Sequence, residues 1–331
     1  MKNKKIILNV NNLSIGLQNH RIIPLVEDIT FSIFEGETFG LIGESGCGKT
    51  ITSLGITGTL PEPNGIYLNG KIELYIENKT INILTSSLEE LRKIRGSEIG
   101  VIFQEPFMAL NPLYTIEFHF KELYKFHQDT LKKKNIDFEK RLNSLLKRAG
   151  FSESEKILKS YPHQLSGGML QRIVIILAIL LKPKLIIADE PTTSLDVTIQ
   201  AQIMELLNEL KQEENTSILL ITHNMGLLAQ YADRLAVMYA GRIVEKTDID
   251  SFLKEPLHPY SQGLLQAIPE LEKDKKIQGI PGNVPSPENY PEGCRFINRC
   301  PYKFDLCERK PNAIIKNQDH IVYCWKYYDK N

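Results

Sequence analysis

The sequence predicts an α/β fold: a mixed sheet, a helical insertion in the middle of the chain, and a small loop-rich, cysteine-containing segment at the carboxyl end. Three observations carry this. The apolar pattern Thr38-Phe-Gly-Leu-Ile42 runs into the glycine-rich stretch Gly43-Glu-Ser-Gly-Cys-Gly-Lys-Thr50, and a helix-compatible segment, Ile51-Thr-Ser-Leu-Gly55, follows. Two further unbroken apolar runs, Leu185 to Ala188 and Thr216 to Thr222, suit parallel strands covered on both faces. Helical patterns separate these runs, as the crossovers of such a sheet require.

Each element follows in order. Residues 1–42 read as short strands, with loose alternation over Leu8 to Leu17 and Leu25 to Ile33. Residues 51–60 are helical and stop at the breaker cluster Pro61-Glu-Pro-Asn-Gly65. Residues 66–85 return to strands, Ser87 to Arg95 is a short charged helix, and Ile99 to Phe103 is a strand leading to Gln104. From about Asn111 to Pro162 the composition turns to Lys, Glu, Leu and Phe at helical spacing, which marks the insertion. A long apolar helix runs to Leu181, and an amphipathic one covers Val197 to Glu213. Met225 to Ala232 is helical, and Arg234–Tyr239 with Gly241–Glu245 reads as a hairpin. After about residue 250 prolines crowd in, as expected of a separate appendage that needs a staple to hold its shape.

Composition narrows the functions. Lys+Arg and Asp+Glu are both 40, so no broad basic field points to nucleic acid. The longest apolar run, Ile173 to Leu181, is far short of the roughly 20 residues of a membrane-spanning helix. The first ten residues lack the long apolar core of a secretory signal, so a cytosolic protein is expected, with any membrane role supplied by partners.

The stretch 43–50 fits G-x-x-x-x-G-K-[ST] between a strand and a helix, which is the setting of a P-loop. Its glycines let backbone N–H groups surround phosphate oxygens, and the helix start adds partial positive charge. Lys49 is expected to reach the β- and γ-phosphates, and Thr50 to offer its hydroxyl to Mg²⁺. The expected nucleotide-binding set here is Gly43, Ser45, Gly46, Cys47, Gly48, Lys49, Thr50 and Ile51. A second element, Leu185-Ile-Ile-Ala-Asp189-Glu190, is an apolar strand ending in acids. Asp189 is expected on Mg²⁺, directly or through water, and Glu190 is placed to polarise an attacking water.

A third element identifies a resemblance. Leu165-Ser-Gly-Gly-Met-Leu-Gln-Arg172 resembles the signature motif of ATP-binding cassette (ABC) proteins. Gln104 at the end of a strand resembles the Q-loop, Ser194-Leu-Asp196 the D-loop, and His223 the switch histidine. The resemblance covers residues 1 to about 250 and implies a P-loop NTPase cassette with its helical subdomain at about 111–165. It further implies that two cassettes close head to tail around ATP, with Ser166 and Gly168 of one touching the γ-phosphate held by the other. Gln104 then joins Thr50 and Asp189 near Mg²⁺, and Glu190, His223 and Gln104 form the catalytic group, with Asp196 beside the nucleotide. Two departures stand out. The family's aromatic ring under adenine has no counterpart in Gly16-Leu-Gln-Asn-His20, where Leu17 or His20 is left to substitute, and Asn224 follows His223 where Asp is usual.

The carboxyl segment, 251–331, narrows the family. Leu257-His-Pro-Tyr-Ser-Gln-Gly-Leu-Leu265, Ile280-Pro-Gly-Asn-Val-Pro285 and Gly293-Cys-Arg-Phe296 resemble the tail of oligopeptide and dipeptide importer ATPases, most closely the D-type subunit. The wording Gly168-Met-Leu-Gln171 is also similar to nickel-importer ATPases, so nickel or metal–opine uptake stands as an alternative, and a soluble ABC ATPase of an assembly complex as a more distant one. The resemblance implies a paralogous F-type partner ATPase (or a homodimer), two membrane permease subunits, an extracytoplasmic binding protein acting indirectly, and a peripheral place on the cytoplasmic face of the membrane. Cys294, Cys300, Cys307 and Cys324 are spaced C-x₅-C-x₆-C-x₁₆-C, which is not a zinc-finger spacing. Four thiolates suit a [4Fe–4S] cluster or Zn²⁺, with reduced thiols or disulfides as the other outcome. The resemblance favours the [4Fe–4S] cluster.

Overall fold

A computed structural model of the chain describes residues 5–77, 79–192, 196–266, 279–317 and 320–328. Strands β1 (Ile6–Gln18) and β2 (Ile22–Phe34) pair antiparallel, and β4 (Gly65–Ile76) and β5 (Lys79–Asn82) extend them to a four-stranded sheet, order β2-β1-β4-β5. Leu8, Val10, Leu13 and Ile15 of β1 are all buried. The pattern skips a step between Val10 and Leu13, where a register shift falls and Asn12 takes φ 48. Between these strands lie β3 (Thr38–Ile42) and α1 (Lys49–Thr57); α2 (Leu88–Ile94) follows β5, closed by a capping box between Ser87 and Glu90.

The second sheet positions the site. It adds β6 (Ile99–Ile102), β7 (Leu185–Asp189), β8 (Ser217–Thr222), β9 (Arg234–Tyr239) and β10 (Arg242–Asp248) to β3. Strands β9-β3-β8-β7-β6 are neighbours in that order and all parallel. Every residue of β3, β7 and β8 is buried, which is why their sequences are unbroken apolar runs rather than alternating ones. The hairpin β9–β10 is antiparallel, so the sheet is mixed.

The insertion is helical as expected and starts early, with α3 (Pro106–Ala109), then α4 (Ile116–Phe126), α5 (Gln128–Lys133), α6 (Phe138–Arg148) and α7 (Ser154–Lys159). Leu142, Leu145 and Leu146 are the buried stripe of α6. They share a core with α8 (Gly167–Ile179), whose carboxyl end is satisfied by Arg141 donating to Leu180 O at 2.7 Å and Ile179 O at 2.9 Å. Arg141 also pairs with Glu214 at the end of α9 (Val197–Glu214), and α10 (Met225–Tyr231) follows β8. Among the described residues no helix is long and apolar enough to cross a membrane.

Beyond β10 come α11 (Ile249–Lys254), α12 (Pro259–Gln266), and two short strands, β11 (Ile314–Asn317) and β12 (His320–Val322). β12 pairs antiparallel with β10 and carries β11, giving the sheet order β11-β12-β10-β9-β3-β8-β7-β6. Buried Tyr260 and Phe296 pack against Tyr239 of β9 within the main apolar core, Tyr260 tilted and Phe296 edge-on to its ring. The staple is therefore sheet pairing and aromatic packing. The expected [4Fe–4S] cluster, or Zn²⁺ in its place, is not supported: among the described residues no three or more His, Cys, Asp or Glu side chains gather so as to hold a metal ion. Cys294, Cys300, Cys307 and Cys324 are free cysteines. Burial raises the thiol of Cys294 to about 12 and that of Cys324 to about 11, so both are neutral at ordinary pH.

One buried carboxylate ties the segment to the sheet. Glu245 on β10 is fully buried and accepts the Leu257 and His258 N–H groups, each at 2.8 Å, and His320 Nε2 lies 2.7 Å away. The His258 Nδ1 accepts from the Tyr260 N–H at 3.1 Å, and burial lowers its pKa from 6.5 to about 4. The unfolded chain therefore takes up a proton near pH 6.5 that the folded chain refuses until about pH 4, so stability falls as pH drops through that window. The melting temperature of the wild type is expected to fall between roughly pH 7 and 5, and His258→Asn to flatten that fall; equal pH slopes in the two proteins would remove His258 as its source.

Candidate functional site

The parallel register sets β3, β8, β7 and β6 side by side at about 4.8 Å spacing, ending at one edge. Ile42 faces Thr222, Asp189 faces Ile221 and Ile102 faces Ala188. The residues that follow these strand ends, Gly43, His223, Glu190 and Gln104, therefore converge where open parallel sheets bind ligands.

The loop from β3 to α1 is built on its glycines. Gly46 and Gly48 hold positive φ, 77 and 105. At Gly43 a Cβ would lie 2.1 Å from the Met238 carbonyl oxygen, so only glycine fits. Gly48 caps α1 with no side-chain acceptor, which leaves the first N–H groups of the helix open to an anion. Ser45, Gly46 and Thr50 are exposed, while Cys47 is fully buried beneath the loop and Ile51 partly so. Lys49 Nζ donates to Gly43 O at 2.7 Å and Glu44 O at 3.1 Å, so the buried ammonium is solvated by the loop's own carbonyls.

Asp189 closes β7 beneath the start of α1. Its Oδ2 accepts from Ser53 Oγ at 3.3 Å, Thr50 donates to the same carboxylate, and Oδ1 is buried with no partner. Burial, then the nearby Glu190, raises its pKa. An orphaned carboxylate oxygen beside the Thr50 hydroxyl is the hard-oxygen set that a magnesium ion takes, so these residues fit the expected ion. Ser53 escaped the sequence reading, although it lies one helical turn past Thr50 and on the same face.

Glu190 sits at φ 46, unusual for a residue other than glycine, and its N–H is anchored on Ile221 O at 2.8 Å. That turn throws its carboxylate between two partners. Gln104 Nε2 donates to Oε2 at 3.3 Å, and His223 Nδ1 lies 3.1 Å from Oε1. His223 is largely exposed. Asn224 after it caps α10, accepting from the Gly226 and Leu227 N–H groups, so this departure from Asp keeps the cap.

The other expected residues lie apart from this group. Ser166 and Asp196 are exposed, and each spends a side-chain oxygen capping its own helix, on Met169 N and Ile199 N. Gly168 is half-buried, one residue past the exposed Gly167; Ser194 and Leu195 lie outside the described residues. Gln171, not singled out in the sequence, links the signature helix to the acidic strand end by donating to Pro191 O at 2.7 Å in the interior. Leu17 falls within β1, and His20 is exposed in the turn after it.

A parallel sheet with a glycine-rich phosphate loop, an acid pair and a polar group at adjacent strand ends defines a P-loop nucleotide hydrolase. Comparison with known proteins places it more closely. The chain matches the ABC transporter family over residues 26–193 and the oligopeptide/dipeptide transporter C-terminal region over 244–307. It is 45% identical to the oligopeptide transport ATP-binding protein AppD of Bacillus subtilis (strain 168), covering 98% of each chain. To the dipeptide transport ATP-binding protein DppD of Escherichia coli (strain K12) it is 43% identical, over 93% of this chain and 92% of that one. Among solved structures, the dimeric post-hydrolysis state of the ATP-binding cassette MJ0796, bound to ADP and Pi, is 27% identical with a TM-score of 0.60, over 73% of this chain and 99% of that one. The chain belongs to the ABC transporter family, in the group that carries the oligopeptide/dipeptide transporter C-terminal region.

The loop geometry makes one substitution decisive. Gly43→Ala is expected to destabilise the protein by about 2–4 kcal/mol, because the Met238 carbonyl must move; an unchanged melting temperature would show that the loop yields freely.

Proposed function

We propose that this chain is the ATP-hydrolysing subunit that energises import of di- or oligopeptides through a membrane permease. The observation that carries the ATPase reading is the convergence of the loop 43–50, Asp189, Glu190, Gln104 and His223 at neighbouring strand ends. The peptide reading rests on the C-terminal match and on near full-length likeness to peptide-transport ATP-binding proteins.

In this reading the open N–H groups among residues 45–51 and the ammonium of Lys49 bind the phosphates of ATP, while the Glu44 N–H is held by the Tyr260 hydroxyl. Thr50 and Asp189, with Gln104 alongside, would hold a magnesium ion, which would supply charge neutralisation to the phosphate chain. Glu190 orients a water and accepts its proton as the water oxygen bonds to the γ-phosphorus and the bond to the β-γ bridging oxygen breaks. His223 and Gln104 hold the Glu190 carboxylate in place and stand ready to contact the γ-phosphate. The exposed Ser166 and Gly167 at the start of α8, and the exposed Asp196, leave their surface open for a second cassette, consistent with the dimeric neighbour. The protein works as a dimer of cassettes on membrane permease subunits. We assign the second cassette to a paralogous F-type chain, the site of action to the cytoplasmic face of the membrane, and substrate delivery to an extracytoplasmic binding protein.

Glu190→Gln is expected to lower ATP turnover by ~10²–10⁴ while leaving ATP binding intact; turnover near wild type would remove Glu190 as the base. The transport assignment is tested by deleting the chain in its source cell and offering a labelled short peptide and radioactive nickel side by side. Loss of peptide uptake alone is the expected result, and loss of nickel uptake alone would move the protein to the metal importers.

A further inference from the structure

The phosphate loop is gripped from far along the chain. Glu44, its first variable residue, is held at three points. Its N–H donates to the Tyr260 hydroxyl at 2.8 Å. Its carboxylate receives two nitrogens of Arg299, at 2.7 Å and 3.0 Å. Its carbonyl receives Lys49 Nζ. Tyr260 and Arg299 both belong to the carboxyl-terminal segment, 216 and 255 residues away.

These contacts are built. Tyr260 is fully buried, and the Arg299 side chain is 6% exposed. Arg299 also donates to Pro281 O at 2.8 Å and Ile280 O at 3.1 Å, and its guanidinium lies over the Tyr239 ring. The turn that presents Tyr260 hangs from the buried Glu245 carboxylate through the His258 N–H. An exposed ion pair would carry little weight. This one is two-pronged, largely desolvated on the arginine side, and fixed at the protein end by backbone carbonyls.

We propose that Arg299 and Tyr260 are positioning residues for the nucleotide site, through which the carboxyl-terminal segment sets the affinity for ATP. The inference rests on the reading of residues 43–51 as an ATP site. Two physical effects act together. The Tyr260 hydroxyl fixes the loop backbone at Glu44, so less ordering remains to be done when phosphate binds. Arg299 cancels the Glu44 carboxylate, which would otherwise set an unpaired negative charge in the loop that receives a triphosphate.

The charge effect gives the test its sign. ATP binding with Mg²⁺ is measured on the full-length chain, and kcat and KM on the assembled transporter. Arg299→Gln is expected to raise Kd and KM for ATP by roughly 5–10-fold with kcat little changed, and the effect to shrink at high salt. Adding Glu44→Gln to Arg299→Gln is expected to restore affinity to within about twofold of wild type, because no unpaired charge remains. Tyr260→Phe, which removes one oxygen and keeps the packing, is expected to weaken binding by roughly 2–5-fold. A merely structural role would make the double variant as weak as Arg299→Gln or weaker, and that result overturns the proposal. So does wild-type ATP affinity in both Arg299→Gln and Tyr260→Phe, with the ATP site itself left standing. Failure of the wild type to bind ATP would instead bring down the site and, with it, this inference.

Discussion

The parallel register of β9-β3-β8-β7-β6 is the constraint on which everything else rests. Strands that run the same way end at the same edge, and pairing at about 4.8 Å leaves no freedom over which ends are neighbours. Residues as far apart as Gly43, Gln104, Glu190 and His223 thereby become one polar cluster. Both faces of these strands are covered, so the sheet is rigid and the chemistry falls to the loops. The insertion α3–α7 lies between β6 and α8 in the chain and contributes no strand to the sheet.

Buried charge in this protein is matched at short range. The Lys49 ammonium is solvated by two carbonyls of its own loop, Asp189 by two hydroxyls with one oxygen unpartnered, and Glu190 by Gln104 and His223. The partial satisfaction of Asp189 is the informative case. A buried carboxylate left short of a partner carries a desolvation cost that a ligand can relieve. Binding then recovers free energy that folding left unspent, and the same geometry orders the groups around the phosphates.

The carboxyl-terminal segment is tied into the cassette. β12 lengthens the main sheet, Tyr260 and Phe296 pack on Tyr239, and Glu245 caps the turn that carries Tyr260. Through Tyr260 and Arg299 the segment reaches the phosphate loop directly. This explains how a proline-rich stretch keeps its shape: its aromatic side chains enter a core that already exists.

The local chemistry is legible in short stretches of the chain. The strand–loop–helix setting of residues 43–50, the apolar strand ending in Asp189-Glu190, and the helix-periodic insertion are all written within windows of a few to fifty residues. Short-range patterns of this kind reflect backbone geometry and burial, which neighbouring residues encode. Which distant groups meet is set by long-range packing and sheet pairing. The three- and four-residue strands β12 and β11 are too short to carry a readable period, and nothing local to Arg299 or Tyr260 predicts Glu44 as their partner. The cysteines make the same point in reverse. Their clustering along the chain suggested a metal centre, but ligation depends on where four thiols stand in space, and that is set by the aromatic core and the sheet edge around them.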